Sequence, residues 1–350
     1  MSAVIGASHV LCSIGSGTDQ VWAAARAGIG RITSSYVMDR DVEPIQMGLA
    51  PEDSLPLLDP EIDKLPLPSR ARRMLRLAAP SLQAIAKDLE RPVPVFIGLP
   101  ELKPAESSWM AHVPAYLQKI TGAAIDRERS AVVPHGRAAG LMALELALNT
   151  LQSDPTATVI VGGVDTHLDL RLLALLEHEK RILGPRVMDG FIPGEGAAFY
   201  VLTGASSAQP PINGPRVLVH AAASTMDPGH RYGSEPSKGE GLAAALNQLR
   251  QRAGQLPGQV ATTFAGFNGE NFDAKLWGVA RARHSDFFSP SMVIDHPADK
   301  FGDAGAAMGA ILMALAAKSL AVGARPGPAL VWAASDREPR ACAVVSVGQS

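Results

Sequence analysis

Of the 350 residues only two are cysteine, Cys12 and Cys342. So few exclude a disulfide framework and a cysteine-built metal site, and they suit a reducing compartment. Charge is sparse as well: 19% of residues are Asp, Glu, Lys or Arg, and the net charge is −2. No basic run stands out, which argues against nucleic acid as a partner. The first residues, MSAVIGASHVLC, carry no Lys or Arg ahead of the apolar ones, so they do not read as a signal peptide. The long apolar run at 304–322 is rich in Ala and Gly and holds Lys318. It reads as a buried helix rather than a membrane span. His167, His178 and His220 lack metal-ligand spacing, so no metal is expected, and nothing calls for a cofactor. The bulk properties describe a soluble, cytoplasmic protein.

What the chain has in abundance is apolar residues, 47% of the total, enough for one large α/β unit. Strand patterns stand at 3–10, 93–98, 131–133, 158–165 and 196–202, with helical patterns at 18–27, 69–89, 109–120, 138–151 and 169–179. Ser16 or Thr18 is available to cap the first helix. Residues 42–68, rich in Pro, Asp and Glu, read as an excursion over the surface, and 205–214 as a linker. The order then repeats: strands at 217–224, 261–267, 329–335 and 341–347, with a small-residue helix at 303–321. Alternating strands and helices imply a mainly parallel sheet in each half. The helices after Gly136 and Gly302 have too much Ala and Gly to be surface helices, so they belong between the sheets. The expected fold is an α/β five-layer αβαβα sandwich of two similar halves, residues 1–205 and 214–350.

Within it, residues 130–151 (SAVVPHGRAAGLMALELALNTL) form a strand, a tight turn and a buried helix. That geometry presents one side chain at a helix N-terminus, where a thiolate would be stabilised. The turn itself holds no Cys or Ser. Both cysteines fall in or beside strands and read as core residues.

The stretch DGFIPGEGAAFYVL (189–202) is similar, almost position for position, to the "DGFV-x-GEGAG-x-x-V-L" signature of the β-ketoacyl synthases of the thiolase superfamily. VIGASHVLCSIGSGTDQVWAAARAGIGRI resembles that family's opening strand, turn and first helix, and VIVGGVD its "V-x-AGG-x-(E/D)" strand. The resemblance implies a thiolase-like fold, a homodimer, and decarboxylative condensation of acyl chains on a carrier-protein thioester. It also implies pairing across the two-fold by the strand at 93–98 or its neighbours.

The family's catalytic motifs are altered in this chain. In place of "T-A-C-S-S" the turn reads Val133-Pro134-His135-Gly136-Arg137, with His135 or Gly136 at the Cys place. In place of "HGT-x-T" stands Gly266-Phe267-Asn268-Gly269-Glu270. In place of "K-x-x-x-GH-x-x-x-AAG" the stretch from Asp295 and His296 reaches Lys300, Gly302 and Asp303, with Asp303 where the second His would be. The Gly-rich loop near the C-terminus has become Ser335-Asp336-Arg337-Glu338-Pro339-Arg340. Acyl transfer needs a nucleophile and oxyanion donors, so this pattern implies a non-condensing pseudoenzyme acting as a binding or accessory protein. Such a degenerate chain resembles proteins encoded near type VI secretion spike and effector genes, which implies a secretion effector as partner, while the synthase resemblance implies an acyl carrier protein. Alternatives are a thioester hydrolase or acyltransferase using His135, and a chain-length-factor-like partner of an active synthase.

The candidate site residues are thus His135, Gly136, Asn268, His296, Lys300 and Asp303. A neutral His135, disfavoured as a cation at a helix N-terminus, could act as a base in a cluster with Asn268 and Asp303. The structural reading has His135 pack or cap its helix, Asp303 cap the second central helix, and Lys300 pair with Asp303. His296 then belongs to a loop before Pro297. Glu195, between glycines, reads as scaffold.

Overall fold

The computed structural model describes residues 2–206 and 215–348; the linker expected at 205–214 lies outside them from residue 207 onward. The first part of the chain forms β1 (Ala3–Cys12), β2 (Gly15–Ser16), α1 (Thr18–Arg26), β3 (Thr33–Met38), β4 (Pro44–Met47), α2 (Pro60–Asp63) and α3 (Ser69–Ala86). It continues with β5 (Val95–Leu99), α4 (Val113–Thr121), β6 (Ala131–Pro134), α5 (Ala139–Ser153), β7 (Thr158–Thr166), α6 (Leu170–His178) and β8 (Glu195–Gly204). The second part forms β9 (Val217–Met226), α7 (Glu240–Ala253), β10 (Val260–Ala265), α8 (Asn271–Arg283) and β11 (Phe288–Asp295). It ends with α9 (Ala298–Phe301), α10 (Met308–Ala321), β12 (Ala329–Ala334) and β13 (Pro339–Val347).

Five strands of each part line up in the same way. The order is β6-β5-β7-β8-β1 in one set and β11-β10-β12-β13-β9 in the other, so matching strands take matching places. The two sheets, expected as separate layers, join along a short antiparallel contact of Ala3–Ile5 with residues 217–219. The expected parallel character holds only for the outer three strands of each set. The β7/β8 and β12/β13 pairs are antiparallel. Between β12 and β13 the chain has only residues 335–338, too few for a crossover back to a parallel strand.

The strands are buried on both faces, and alternate residues feed different layers. Leu330, Trp332 and Ala334 of β12 face the outer core with α7 and α8. Ala329, Val331 and Ala333 face the central layer. In β8, Phe199 and Val201 face α3 and α4, while Ala198 and Tyr200 face inward. The central layer holds α5 and α10, with α1 at its side, and α10 is buried along almost all of its length. The close approach depends on small residues: a Cβ at Gly140 would lie 2.7 Å from the backbone N of Ala310. The result is an α/β five-layer, thiolase-like sandwich.

Several local expectations need correction. The first helix has Gly17 at its N-cap, which has no side chain to cap with; Thr18 is the first helical residue, and its hydroxyl is hydrogen-bonded with that of Ser8. The stretch 42–68 is not all surface: Ile45 and Met47 of the β3–β4 hairpin are buried. Of the strand at 93–98 and its neighbours, expected to pair across a two-fold, β5 is flanked on both sides, while its neighbour β6 has a free edge, as β11 has at the other end of the sheet. Among the described residues no helix is long and apolar enough to cross a membrane.

Candidate functional site

Both central helices open the same way. A glycine in the left-handed region, Gly136 at φ 66° and Gly305 at φ 54°, leads a 3-10 turn into α5 or α10. At the α5 turn the side chain sent inward is Arg137. It is buried, and its Nε and Nη2 donate to Asp303 Oδ2 at 2.6 and 2.5 Å. Its Nη1 donates to Asp336 Oδ1 at 2.8 Å. Asp336 lies on the turn between β12 and β13, where the resemblance places a glycine loop.

The pair extends into a network. Arg181 donates to both oxygens of Glu270 at 2.8 and 2.7 Å, and to both oxygens of Asp336 at 3.0 and 2.8 Å. The Phe191 ring lies 5.2 Å from the Arg137 guanidinium and 5.3 Å from that of Arg181. Asn268 donates to Glu270 and to Asp303, each at 3.0 Å. Arg231, from the loop after β9, reaches Glu270 at 3.0 Å. Asp303 Oδ1 also accepts the N–H of Gly305, which is the capping role expected of it.

The electrostatics follow from burial and pairing. Burial alone would raise the pKa of Asp303; the Arg137 guanidinium outweighs it and holds the carboxyl at about 2. Asp336 is likewise held below the carboxylate range: Arg137 and Arg181 together outweigh burial. Desolvation works against the charge on Arg137, yet its pKa stays well above the usual value because Asp303 and Asp336 flank it. Asp273 of α8 is the exception. Burial pushes it up to about 7, Arg137 offsets this in part, and Glu270 and Asp336 add to it.

The sequence candidates separate into two places. Gly136 and His135 stand beside Arg137, and Asn268 and Asp303 belong to the network. His135 is half-buried; its pKa is lowered by burial, with Glu338 opposing, rather than by the helix alone. Its carbonyl accepts the Ser335 hydroxyl, whose oxygen in turn accepts the Ala138 N–H at 3.0 Å. The expected Lys300–Asp303 pair is absent: Lys300 pairs with Asp299 at 2.9 Å, because Arg137 already saturates Asp303. His296 sits edge-on to Phe267, 6.3 Å between ring centroids, and with Lys300 lines a separate crevice beside α1. Sequence reasoning missed Arg137, Arg181, Glu270, Asp273 and Asp336. The available signal was a charged residue inside a turn of otherwise small or apolar residues, as in PHGRAAG and GFNGE.

The α5 turn, residues 133–138, carries no Cys, Ser or Thr. Cys12 is fully buried and its thiol is pushed up to about 12 by desolvation; burial also raises the thiol of Cys342. Glu195 is buried in scaffold contacts, taking two hydrogen bonds from Arg73 at 2.6 Å and others from Thr166 and the Ala50 N–H. Among the described residues no group of His, Cys, Asp and Glu is suited to a metal ion. What the arrangement does chemically is hold two buried guanidinium groups against carboxylates.

By its fold, the chain is similar to ketosynthases of the thiolase type. A ketosynthase from module 6 of the bacillaene synthase of Bacillus subtilis 168 superposes with a TM-score of 0.79 at 14% identity, covering 100% of this chain and 73% of that one. The ishigamide ketosynthase/chain length factor gives 0.72 at 17% identity with both chains fully covered. A ketosynthase in complex with its chain length factor from Xenorhabdus doucetiae gives 0.76 at 14% identity, covering 99% and 98%. No protein-family model and no curated protein matches the sequence.

Proposed function

We propose that this chain is a non-condensing protein built on the ketosynthase fold, a pseudoenzyme that serves as a binding or accessory subunit. One observation carries the reading. The α5 turn, which the resemblance assigns to a thiolate, instead sends inward a guanidinium bound to Asp303 and Asp336. Condensation needs a covalent acyl intermediate and donors for the developing enolate. Here the donors of Arg137 and Asn268 are engaged by carboxylates. The filled, polar centre also speaks against an acyl channel at this position. The reading includes a homodimer, and an acyl carrier protein or a secretion effector as further partner, in the cytoplasm. A chain-length-factor-like role is the second reading, favoured by the solved ketosynthase and chain length factor assemblies of the same fold.

The test is incubation of the purified protein with acyl- and malonyl-carrier thioesters. The expected result is no carbon dioxide release and no acyl mass adduct. Turnover that disappears in His135→Ala would overturn the proposal in favour of a His135-dependent acyltransferase or hydrolase. Co-purification with an active ketosynthase subunit in the native host would favour the second reading.

A further inference from the structure

The crevice that holds His296 and Lys300 lies away from the charge network, between α1, the ends of β10 and β11, and α10. It encloses about 180 Å³. Its floor is apolar: Phe264 is 3% exposed and Leu315 2%. One wall is Trp22, whose indole N–H donates to Ser319 Oγ at 2.9 Å, which fixes the ring in place.

The rim is charged unevenly. Three cations, Arg26, Lys300 and Arg325, face two carboxylates, Asp295 and Asp299. Arg325 is held by both oxygens of Asp295 at 2.7 Å, and Lys300 by Asp299. Arg26 is left over. It stands 5.6 Å over the Trp22 ring and donates to the Ala324 carbonyl, and it makes no ion pair among the described residues. The crevice therefore offers an apolar floor, an aromatic wall and, at its mouth, one guanidinium that pairs with no carboxylate among the described residues.

We propose that this crevice binds a small aromatic carboxylate. The volume decides the size: an apolar cavity of about 150 Å³ admits benzene, and this one has room for a benzoate-sized molecule. The ring lies on Leu315 and Phe264 beside Trp22, and the carboxylate meets Arg26 in a charge-assisted hydrogen bond. The neutral amide of the same shape keeps the floor contacts and forfeits the charged one. The site is independent of the charge network, so it stands or falls apart from the function proposed above.

The experiment uses the whole protein and sodium benzoate, followed by saturation-transfer NMR and by tryptophan fluorescence, with benzamide as the neutral probe. Benzoate is expected to saturate at low millimolar concentration, and benzamide to bind about tenfold more weakly, as loss of one charge-assisted hydrogen bond implies. Arg26→Gln, on the exposed side of α1, should bind benzoate as weakly as the parent binds benzamide. Ala25→Trp, which lines the same mouth, should abolish the signal. Equal binding of the two probes, undiminished benzoate binding by either variant, or no saturation by tens of millimolar overturns the proposal. Should Ala25→Trp fail to fold, the Arg26→Gln comparison decides alone.

Discussion

The turns that open α5 and α10 are alike in backbone and opposite in charge. At α10 the free N–H groups meet carboxylates: Gly305 N–H donates to Asp303 at 2.8 Å and Ala306 N–H to Asp165 at 3.0 Å. Negative charge there complements the helix dipole. At the α5 turn the N–H of Ala138, the position that Ala307 takes at α10, meets the Ser335 hydroxyl rather than a carboxylate, and the residue matching Ala306 is the cation Arg137. A guanidinium at a helix N-terminus opposes the dipole and is tolerated because Asp303 and Asp336 supply the missing charge. The repeated scaffold thus fixes backbone geometry at both turns, while their chemistry is set by single side chains. A turn that would activate a thiolate becomes one that anchors an ion-pair network.

The sharpest way to break this comparison is to remove the cation. Arg137→Ala leaves Asp303 and Asp336 with less compensation in a buried setting and should cost about 3–5 kcal/mol, the usual penalty for breaking a buried pair from one side. Urea unfolding measures it. Adding Asp303→Asn, which keeps an oxygen for the Gly305 cap, should recover part of the loss. A loss under about 1 kcal/mol for the single variant would mean that the network behaves as a surface pair.

The network also sets a pH dependence with two opposite arms. Asp303 has a depressed folded pKa, so its contribution is present above pH 4 and is lost as pH falls towards 2. Asp273 is raised to about 7 by burial. The folded state keeps a proton that the unfolded chain releases near pH 4, so stability falls as pH rises from about 4 to 7, by about 1.4 kcal/mol per unit at the steepest. Asp273→Asn should flatten the upper arm and leave the acid arm unchanged. Unfolding curves at several pH values check both; an unchanged upper arm would remove Asp273 from the network.

A third contrast concerns the helices themselves. Gly140 and Gly309 take matching places, four residues after Gly136 and Gly305. In a helix interior alanine normally gains about 1 kcal/mol over glycine. At Gly140 the new Cβ would stand 2.7 Å from backbone N of Ala310, and at Gly309 it would meet the Leu141 Cγ and N at 3.1 Å. Gly140→Ala should therefore lower stability by about 1–3 kcal/mol, and Gly309→Ala by less. Equal melting temperatures for both variants and the parent would mean that the two helices do not approach as closely as this.

How far the sequence foretold these features depends on the range of the interactions involved. The β12 run ALVWAA and the small-residue helix α10 were legible because an unbroken apolar or small-residue run needs burial on every side, wherever the chain folds. β11 was not: FSPSMVID is an edge strand with Ser289 half-buried, Pro290 and Ser291 exposed, and no clear alternation. The same limit hides the site. Arg137 finds Asp303 at a separation of 166 residues and Asp336 at 199, and only the folded sheet order brings them together. Local patterns named Asp303 as a helix cap and Asn268 as part of an altered loop. They gave Asp303 the wrong partner, Lys300, because that cation is near in sequence and Arg137 is not.

The smallest expected effect is at His135, the most conspicuous residue of the α5 turn. Its ring makes no hydrogen bond among the described residues, and the contact that ties the residue down, from the Ser335 hydroxyl, reaches its backbone carbonyl. Any side chain keeps that contact. His135→Ala should therefore change stability by less than about 1 kcal/mol at pH 7, against the several lost at Arg137 two positions away. Burial lowers the imidazole pKa, with Glu338 opposing, so the fold favours the neutral ring. Stability is then lost as pH falls through the unfolded value near 6.5, and His135→Ala should remove that small acid-side slope. Thermal melts at pH 5.5 and 7.5 read both quantities. A loss at His135 larger than that at Arg137 would reverse the comparison, making the imidazole rather than the guanidinium the group around which this turn is built.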